Sequence, residues 1–230
     1  MDTEKRVQPL FAEVSSSLMK TDPEFAEIIA NFSQDEVAKT NKLTKKEQML
    51  CILSVLLGCQ GMGEFQNMLH AALHAGVDPV AIKEVIYQAT AYLGIGRTYD
   101  FLTAANQIMV QHGVELPLAP QATTNAHTRF RDGLTKQVEL FGENMAKRQT
   151  DSPALRRNIN RWLAENCFGD YYTRSGLNDQ EREMITFCFI LAQGGCENQL
   201  RGHTAGNFGV GNDKEKLYSI VEQCVPGVSI

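Results

Sequence analysis

Two stretches of the chain, 43-LTKKEQMLCILSVLLGCQG-61 and 177-LNDQEREMITFCFILAQGG-195, align with each other along their whole length. Each opens with a leucine and a polar, charged turn and continues into a long apolar run. The apolar residues recur at three- and four-residue spacing, which is typical of a buried helix. A second pair, 76-GVDPVAIKEVIYQATAYLG-94 and 211-GNDKEKLYSIVEQCVPGVS-229, follows. The copies lie 134 to 135 residues apart, so the sequence predicts a helical unit that occurs twice.

The rest of the chain shows the same helical periodicity, and strand-like alternation is nearly absent. Helix starts are marked by a capping residue, often with proline in the first turn. Glycines mark helix ends. The predicted starts are Asp22-Pro23, Thr44, Asp78-Pro79 and Ser152-Pro153, and the predicted stops are Gly76 and Gly113. These signals predict an all-α fold.

The two copies differ at their carboxyl ends. The first copy continues past Tyr92 into GIGRTYDFLTAANQIM, which reads as a further helix, whereas the second stops at Ile230. We therefore expect a first repeat over residues 1–114, a linker over 115–125 (ELPLAPQATTN) and a second repeat over 126–230 that lacks its last helix. The apolar face left by that helix would be covered by the first half or by another subunit.

Composition narrows the class of protein. The net charge is −5 without a basic block, which argues against a nucleic-acid surface. The amino terminus has no signal-peptide pattern, and the longest apolar run, Met49 to Cys59, is shorter than the roughly 20 residues of a membrane span. We expect a cytoplasmic protein without a membrane segment. The six cysteines form no CxxC pair and no phosphate loop occurs, so reduced thiols and no metal or cofactor are expected.

The stretch 168-FGDYYTRSGLNDQEREMITFCFILAQGGCENQLRGHTAGNFGVGNDKEKL-217 resembles the carboxymuconolactone decarboxylase family, which includes the alkylhydroperoxidase-D-like proteins. In the first half, LTKKEQMLCILSVLLGC and AALHAGVDPVAIKEVIYQATAYLGIGRTYDFL carry the same resemblance. It implies an all-helical fold and a small-molecule substrate. Single-repeat members form trimers or hexamers, so the resemblance implies a homotrimer of two-repeat chains, each a pseudo-dimer. The family activity is decarboxylation of 4-carboxymuconolactone, and a related branch reduces peroxides through a CxxC pair.

The segment 193-QGGCENQLRGH-203 is the predicted site. Cys196, Gln199 and His203 stand at i, i+3 and i+7 and share one helix face. By resemblance, Cys196 and His203 match the first cysteine and the histidine of the peroxidase motif, and Gln199 replaces the second cysteine. A sulfenic acid at Cys196 would have no resolving thiol one turn away, although Cys188 on the preceding helix could serve. A thiol peroxidase that acts through Cys196 is therefore the alternative function.

An acid–base site fits the segment better. His203 could donate the proton that a decarboxylated lactone needs, with Glu197 or Glu183 orienting the ring. Glu183 lies close to the position of the family's helix glutamate. Arg182 or Arg201 could bind a substrate carboxylate, and Gln199 could contact the substrate. The structural alternatives are a core histidine and surface ion pairs.

The first half has no equivalent histidine, because alignment of the turns at Gly76 and Gly211 places Met68 opposite His203. Glu64 and Met68 are predicted to line a pocket wall. Three functions follow: a decarboxylase-like lyase that uses His203, a thiol peroxidase, and a non-catalytic binding or assembly protein on the same fold.

Overall fold

The computed structural model describes residues 15–229, and all regular secondary structure in this range is helical. The signal-peptide prediction for the amino terminus falls outside these residues. The first half contains α1 (Ser15–Thr21), α2 (Pro23–Ala30), the π-helical segment π1 (Asn31–Val37), α3 (Ala38–Thr40), α4 (Lys45–Gly58), α5 (Met62–His74), α6 (Pro79–Leu93) and α7 (Ile95–Gln111).

The second half follows an irregular connection. It contains α8 (Arg129–Phe141), α9 (Asn144–Asp151), a 3₁₀ turn (Ala154–Arg156), α10 (Arg157–Trp162), the π-helical segment π2 (Leu163–Tyr172), α11 (Asp179–Gln193), α12 (Glu197–Gly209) and α13 (Lys214–Val228). The all-α prediction is confirmed. Pro23, Thr44 and Asp78 mark helix starts as predicted, whereas Ser152-Pro153 leads into the 3₁₀ turn before α10.

The centre of the core is the contact between α4 and α11. Each helix also packs against a helix of the other half, α4 against α13 and α11 against α6. The two helices come very close at Gly58, where a Cβ would lie 2.7 Å from Ala192 Cβ and 2.8 Å from the Phe189 carbonyl oxygen. A larger residue at this position would push the two central helices apart.

Both central helices begin with the same capping device. The side chains of Thr44 and Asn178 accept from the backbone N–H groups of Glu47 and Glu181, which bond back to the cap backbone. Each glutamate also pairs with a lysine of the other half of the chain. Glu47 lies 2.6 Å from Lys216, and Glu181 lies 2.5 Å from Lys46. The same two glutamates thus cap the central helices and join the two halves of the chain.

The helices follow one another in similar order in the two halves. Helices α4, α5 and α6 have 14, 13 and 15 residues, and α11, α12 and α13 have 15, 13 and 15. A π-helical segment precedes each group, and α7 has no counterpart after α13 in the described range. These features agree with the predicted tandem repeat, which remains a prediction, as does the oligomer. No helix among residues 15–229 is long and apolar enough to cross a membrane.

Helix α8 lies against π2 at very short range. The two backbones touch at Gly133 and Gly169, where an added Cβ would lie 2.0 Å and 2.1 Å from a carbonyl oxygen of the partner segment. Only glycine allows this approach. The crossing carries Phe141, the last residue of α8, towards α12.

Candidate active site

His203 and Glu183 form a buried pair between α11 and α12. His203 Nδ1 lies 2.9 Å from Glu183 Oε2. The Glu183 side chain has no exposed surface, and the His203 side chain keeps 11% of its surface exposed. A buried carboxylate needs polar partners, and the histidine is one of them. The pair therefore joins a fixed acceptor to a ring that still reaches the surface.

Glu183 is held from two further directions. The hydroxyl of Tyr172 donates to Glu183 Oε1 at 2.9 Å. On the side of α12, a Cβ at Gly206 would lie 2.3 Å from Glu183 Oε2, so the carboxylate occupies space that any other residue at 206 would take. Glycine at this position lets α12 approach the carboxylate closely.

A directed chain of hydroxyl groups ends at this carboxylate. Tyr172 has one proton and gives it to Glu183, so the Tyr92 hydroxyl at 2.9 Å and the Thr186 hydroxyl at 2.8 Å donate to the Tyr172 oxygen. Cys167 donates in turn to the Tyr92 hydroxyl, with Sγ and O 3.7 Å apart. Each donor therefore points along the chain towards Glu183.

Burial keeps this chain protonated. It raises the pKa of Tyr92 and of Tyr172 well above the usual value, and it raises the pKa of Cys167 to about 12. The carboxylate of Glu183 adds to the rise in each case. These groups consequently act as neutral donors near neutral pH.

Aromatic rings enclose the imidazole of His203. Phe141 from α8 and Tyr92 from α6 each meet it edge to face, with ring centroids 5.4 Å apart. Such contacts exclude water and fix the ring plane. The ring thus packs between aromatic side chains from both halves of the chain.

Two asparagines anchor the backbone around the pair. Asn207 Nδ2 donates to the carbonyl oxygens of Glu183 at 3.0 Å and His203 at 2.8 Å. Asn212 donates to Asn207 Oδ1 at 2.8 Å. Both asparagines are fully buried. They tie α11 to α12 at the level of the pair, which stabilises the 2.9 Å contact.

Arg182, one residue before Glu183, has partners within the protein. Its guanidinium donates to Glu84 at 3.2 Å, to Gln88 at 2.6 Å and to the carbonyl oxygens of Arg174 and Ser175. Arg182 and Glu84 are each 1% exposed. Burial lowers the pKa of Arg182, while the charge of Glu84 opposes the change. This arginine joins α6 to α11 rather than facing solvent.

The other predicted residues of α12 lie apart from the pair. Glu197, Gln199 and Arg201 are exposed, and Glu183 rather than Glu197 contacts His203. Cys196 is the N-cap residue of α12, seven residues before His203, or roughly 10 Å along the helix axis. Its Sγ lies 3.5 Å and 3.3 Å from the carbonyl oxygens of Ile190 and Gly194. Of the predicted site residues, the structure brings together His203 and Glu183.

The state of the thiols gives a direct prediction. Burial, with Glu197 nearby, raises the pKa of Cys196, and Cys188 lies buried beside Cys224 with their sulfurs 3.6 Å apart. Cys59 is exposed, Cys196 is partly exposed, and the other four cysteines are buried. We expect two of six thiols to react with an aromatic disulfide reagent at pH 8 in the native protein. Cys196→Ser should reduce the count to one. Four or more fast thiols would contradict this structure.

Sequence reasoning missed the residues that hold the pair, namely Tyr92, Phe141, Tyr172, Asn207 and Gly206. The sequence segment quoted for the family resemblance contained Tyr172, Gly206 and Asn207, but nothing in their types indicated contact with Glu183. Tyr92 and Phe141 come from distant helices. Periodicity identifies a buried face and not the partner that it meets.

Removing the Tyr172 hydroxyl tests how the carboxylate is held. Tyr172→Phe leaves Glu183 Oε1 buried without its donor, which costs about 1–3 kcal/mol of unfolding free energy. Tyr218→Phe is the matched control, because Tyr218 is 62% exposed. Chemical denaturation of both variants measures the difference. Equal stability of the two variants would show that Glu183 does not depend on Tyr172.

Two first-half residues of the predicted site lie beside a cavity. Glu64 and Met68 lie in the wall of a cavity of about 310 Å³ that is formed mainly by α2, π1 and α4, with further residues from α5 and α13. The cavity contains no counterpart of His203, since Met68 stands at the aligned position. The protein thus has a filled polar site between α11 and α12 and an open, mainly apolar cavity between the first half and α13.

The fold and the buried His–Glu pair define an all-α protein with a potential acid–base site. Comparison with known proteins then relates part of the chain to a known family. Residues 23–107, from α2 into α7, match the model of the carboxymuconolactone decarboxylase family. The match lies in the first half, whereas His203 and Glu183 lie in the second.

Two further proteins are similar to this chain. The 4-carboxymuconolactone decarboxylase of Acinetobacter baylyi is 26% identical over 101 residues, which are 44% of this chain and 75% of that protein. The crystal structure of a candidate gamma-carboxymuconolactone decarboxylase subunit from Burkholderia xenovorans LB400 superposes with a TM-score of 0.63 at 15% identity. It covers 97% of this chain and 88% of the other. At that identity the structural likeness shows the fold.

Proposed function

We propose that the protein is a decarboxylase-like lyase that acts on a small carboxylated lactone or a related acid, with His203 as the group that delivers the proton. The observation that carries this proposal is the 2.9 Å contact between His203 Nδ1 and the buried carboxylate of Glu183. The similarity to a 4-carboxymuconolactone decarboxylase supports the choice of substrate class.

The pair assigns different tasks to the two ring nitrogens. Glu183 accepts a hydrogen bond from Tyr172 and stands as the acceptor for His203 as well, so Nδ1 carries the proton that it shares with Glu183. Nε2 is then the nitrogen that exchanges a proton with the substrate. Glu183 stabilises the imidazolium and fixes the plane of the ring, as a carboxylate behind a catalytic histidine does in other enzymes.

The reaction then needs one proton from the protein. The bond between carbon and the departing carboxylate breaks, CO₂ leaves, and the electron pair is delocalised into the lactone carbonyl as an enolate. The imidazolium of His203 donates its Nε2 proton to the carbon, and the neutral ring regains a proton from solvent. The enclosing rings of Phe141 and Tyr92 keep water from the developing charge. Arg201 remains a proposed partner of the substrate carboxylate from the exposed face of α12.

The thiol peroxidase alternative has less physical support. A peroxidatic cysteine needs a lowered pKa, whereas burial and Glu197 raise the pKa of Cys196. Its sulfur also faces two carbonyl oxygens, which favour the protonated thiol. Cys188, the resolving thiol considered from the sequence, is buried beside Cys224. These contacts favour the acid–base function over the thiol cycle.

The test is a comparison of two activities in the purified protein and in Cys196→Ser. Loss of 4-carboxymuconolactone is followed by ultraviolet absorbance together with CO₂ release, and peroxide reduction is followed with a dithiol reductant. We expect decarboxylation at equal rates in both proteins. Peroxide reduction that disappears in Cys196→Ser, without any decarboxylation, would replace the lyase by the peroxidase. If the purified protein shows neither activity, a non-catalytic role is favoured.

A further inference from the structure

Another cavity, of about 340 Å³, lies between α6, α7 and the connection that follows α7. Its apolar wall is formed by Val80 and by residues 116–120 (LPLAP). Neither His203 nor Glu183 is among the described residues that line it. Its polar wall is formed by Lys83, Glu84, Tyr87, Asn106, Gln121 and Arg174. The cavity therefore combines cationic side chains with an apolar surface.

Lys83 is a buried cation that pairs with no carboxylate among the described residues. It is 7% exposed, and its Nζ donates to the neutral oxygen Oδ1 of Asn106. Burial lowers the pKa of Lys83, because desolvation penalises the charged form. A buried charge without a counter-ion costs free energy. A bound anion would recover part of that cost.

Arg174 offers donors that a ligand can reach. Its Nε donates to both carboxylate oxygens of Glu84, at 2.9 Å and 3.1 Å, whereas its Nη1 and Nη2 atoms donate to no described residue. The side chain is 20% exposed, and neither Nη atom is buried. A guanidinium binds a carboxylate through two parallel N–H groups. The edge formed by Nη1 and Nη2 is thus free for one carboxylate.

Glu84 does not cancel these positive charges. Its side chain is 1% exposed, and its carboxylate is shared between Arg174 and Arg182. The two guanidinium groups and the ammonium group of Lys83 stand against this single carboxylate. Among the described residues, no further acidic side chain lines the cavity. The local charge therefore favours an anionic ligand over a neutral or cationic one.

Two neutral side chains complete the polar wall around the cations. Lys83 can only donate, so the atom of Asn106 that faces it is Oδ1, and Nδ2 stays accessible without a partner among the described residues. The Tyr87 ring lies beside both cations, with its centroid 5.9 Å from Lys83 Nζ and 5.2 Å from Arg174 Cζ. The ring thus holds both positive groups at one end of the cavity.

We propose that this cavity binds a small organic carboxylate, whose charged group pairs with the free edge of Arg174 beside Lys83 and whose apolar part packs against Val80 and residues 116–120. The volume is at the lower end of ligand pockets and suits a molecule of roughly ten non-hydrogen atoms. The apolar wall favours an organic acid over an inorganic anion. The site is separate from the His203–Glu183 pair and does not depend on the proposed reaction.

The test uses the full chain and two matched probes, 4-fluorobenzoate and 4-fluorobenzamide, followed by fluorine NMR. The probes have the same size and shape and differ in charge. We expect the benzoate to bind with a Kd roughly tenfold lower than that of the benzamide, which corresponds to a charge-assisted hydrogen bond. Carbon-13 labelling of methyl groups gives a second readout, because a bound ring should shift the signals of Val80, Leu116 and Leu118.

Variants locate the charged contact. Arg174→Gln should reduce benzoate affinity to about that of the benzamide, while Arg182 continues to pair with Glu84. Lys83→Met should weaken benzoate about threefold or more and leave benzamide binding unchanged, without loss of stability. The matched control is Lys147→Met, an exposed position on α9 with the same change of net charge, and it should leave both probes unchanged. His203→Gln should also leave them unchanged, which separates this proposal from the proposed reaction.

Specific results would overturn the proposal. No binding of benzoate to the wild-type chain, or equal affinity for both probes, would show that the cavity has no carboxylate site. Benzoate binding that survives Lys83→Met and Arg174→Gln, or that leaves the three methyl signals unshifted, would place the probe elsewhere. Inorganic phosphate that competes as well as unlabelled benzoate would remove the apolar part of the proposal. If Arg174→Gln does not fold, Lys83→Met and the methyl signals decide the question.

Discussion

His203→Gln is expected to lower kcat for decarboxylation by roughly 10²- to 10⁴-fold, which is the usual contribution of a positioned general acid. Glutamine keeps the polarity and approximate volume of the side chain, but it cannot carry an exchangeable imidazolium proton. Since the ring is enclosed by Phe141 and Tyr92, water has limited access to replace it. KM should change much less than kcat if His203 acts in the chemical step.

The matched control is His127→Gln. His127 lies exposed in the connection before α8, so its replacement should leave kcat within about twofold of the wild type, in line with a surface substitution. A His203→Gln protein that folds normally and retains full kcat would exclude His203 as the proton donor. The reaction would then need another group, or would proceed without one.

Arg182→Met is expected to have the largest effect on stability, a loss of about 3–5 kcal/mol of unfolding free energy. The reason is the charge that the substitution leaves behind. Glu84 is 1% exposed and would retain Arg174 as its remaining cation, while the carbonyl oxygens of Arg174 and Ser175 and the amide oxygen of Gln88 would lose their donor. Methionine fills much of the space, so the loss reports on polar groups rather than on a void.

Denaturant titration of Arg182→Met beside Arg201→Met measures this loss. Arg201 is exposed on α12, and its replacement should change stability by no more than about 0.5 kcal/mol. If both variants lose less than about 1 kcal/mol, Arg182 does not support the contact between α6 and α11. In that case its guanidinium would be available to a substrate, as the sequence suggested.

The sequence predicts the fold well because the relevant signals are local. The capping boxes at Thr44 and Asn178, the proline at the first position of α2 and α6, and the helical periodicity each act within a few residues. Local hydrogen bonds and side-chain spacing are sufficient to define such helices. The family resemblance rests on these same ordered helices.

The candidate site depends on contacts between distant parts of the chain. Tyr92 reaches Tyr172 across 80 positions, and Gln88 reaches Thr186 across 98. No spacing rule gives these contacts, because they follow from how α6 packs on π2 and α11. His203 was identified from its place in the family motif. Glu183 was considered beside Glu197, and the choice between them needed the crossing of α11 and α12.

Arg182 is a second residue whose partner the sequence did not predict. Its residue type suits a substrate carboxylate, and the sequence left surface ion pairing as the alternative. The carboxylate that it meets is Glu84, 98 positions earlier. A sequence gives the chemistry of a side chain, while the identity of its partner depends on tertiary packing.

A double-mutant cycle on kcat tests the His–Glu mechanism most directly. Glu183→Gln and His203→Gln are made singly and together, and decarboxylation of 4-carboxymuconolactone is measured for all four proteins. If Glu183 acts through His203, each single change lowers kcat and the double variant is no slower than His203→Gln alone. If the two losses multiply, Glu183 acts on the reaction independently of His203, and the proposed action of Glu183 through His203 is wrong.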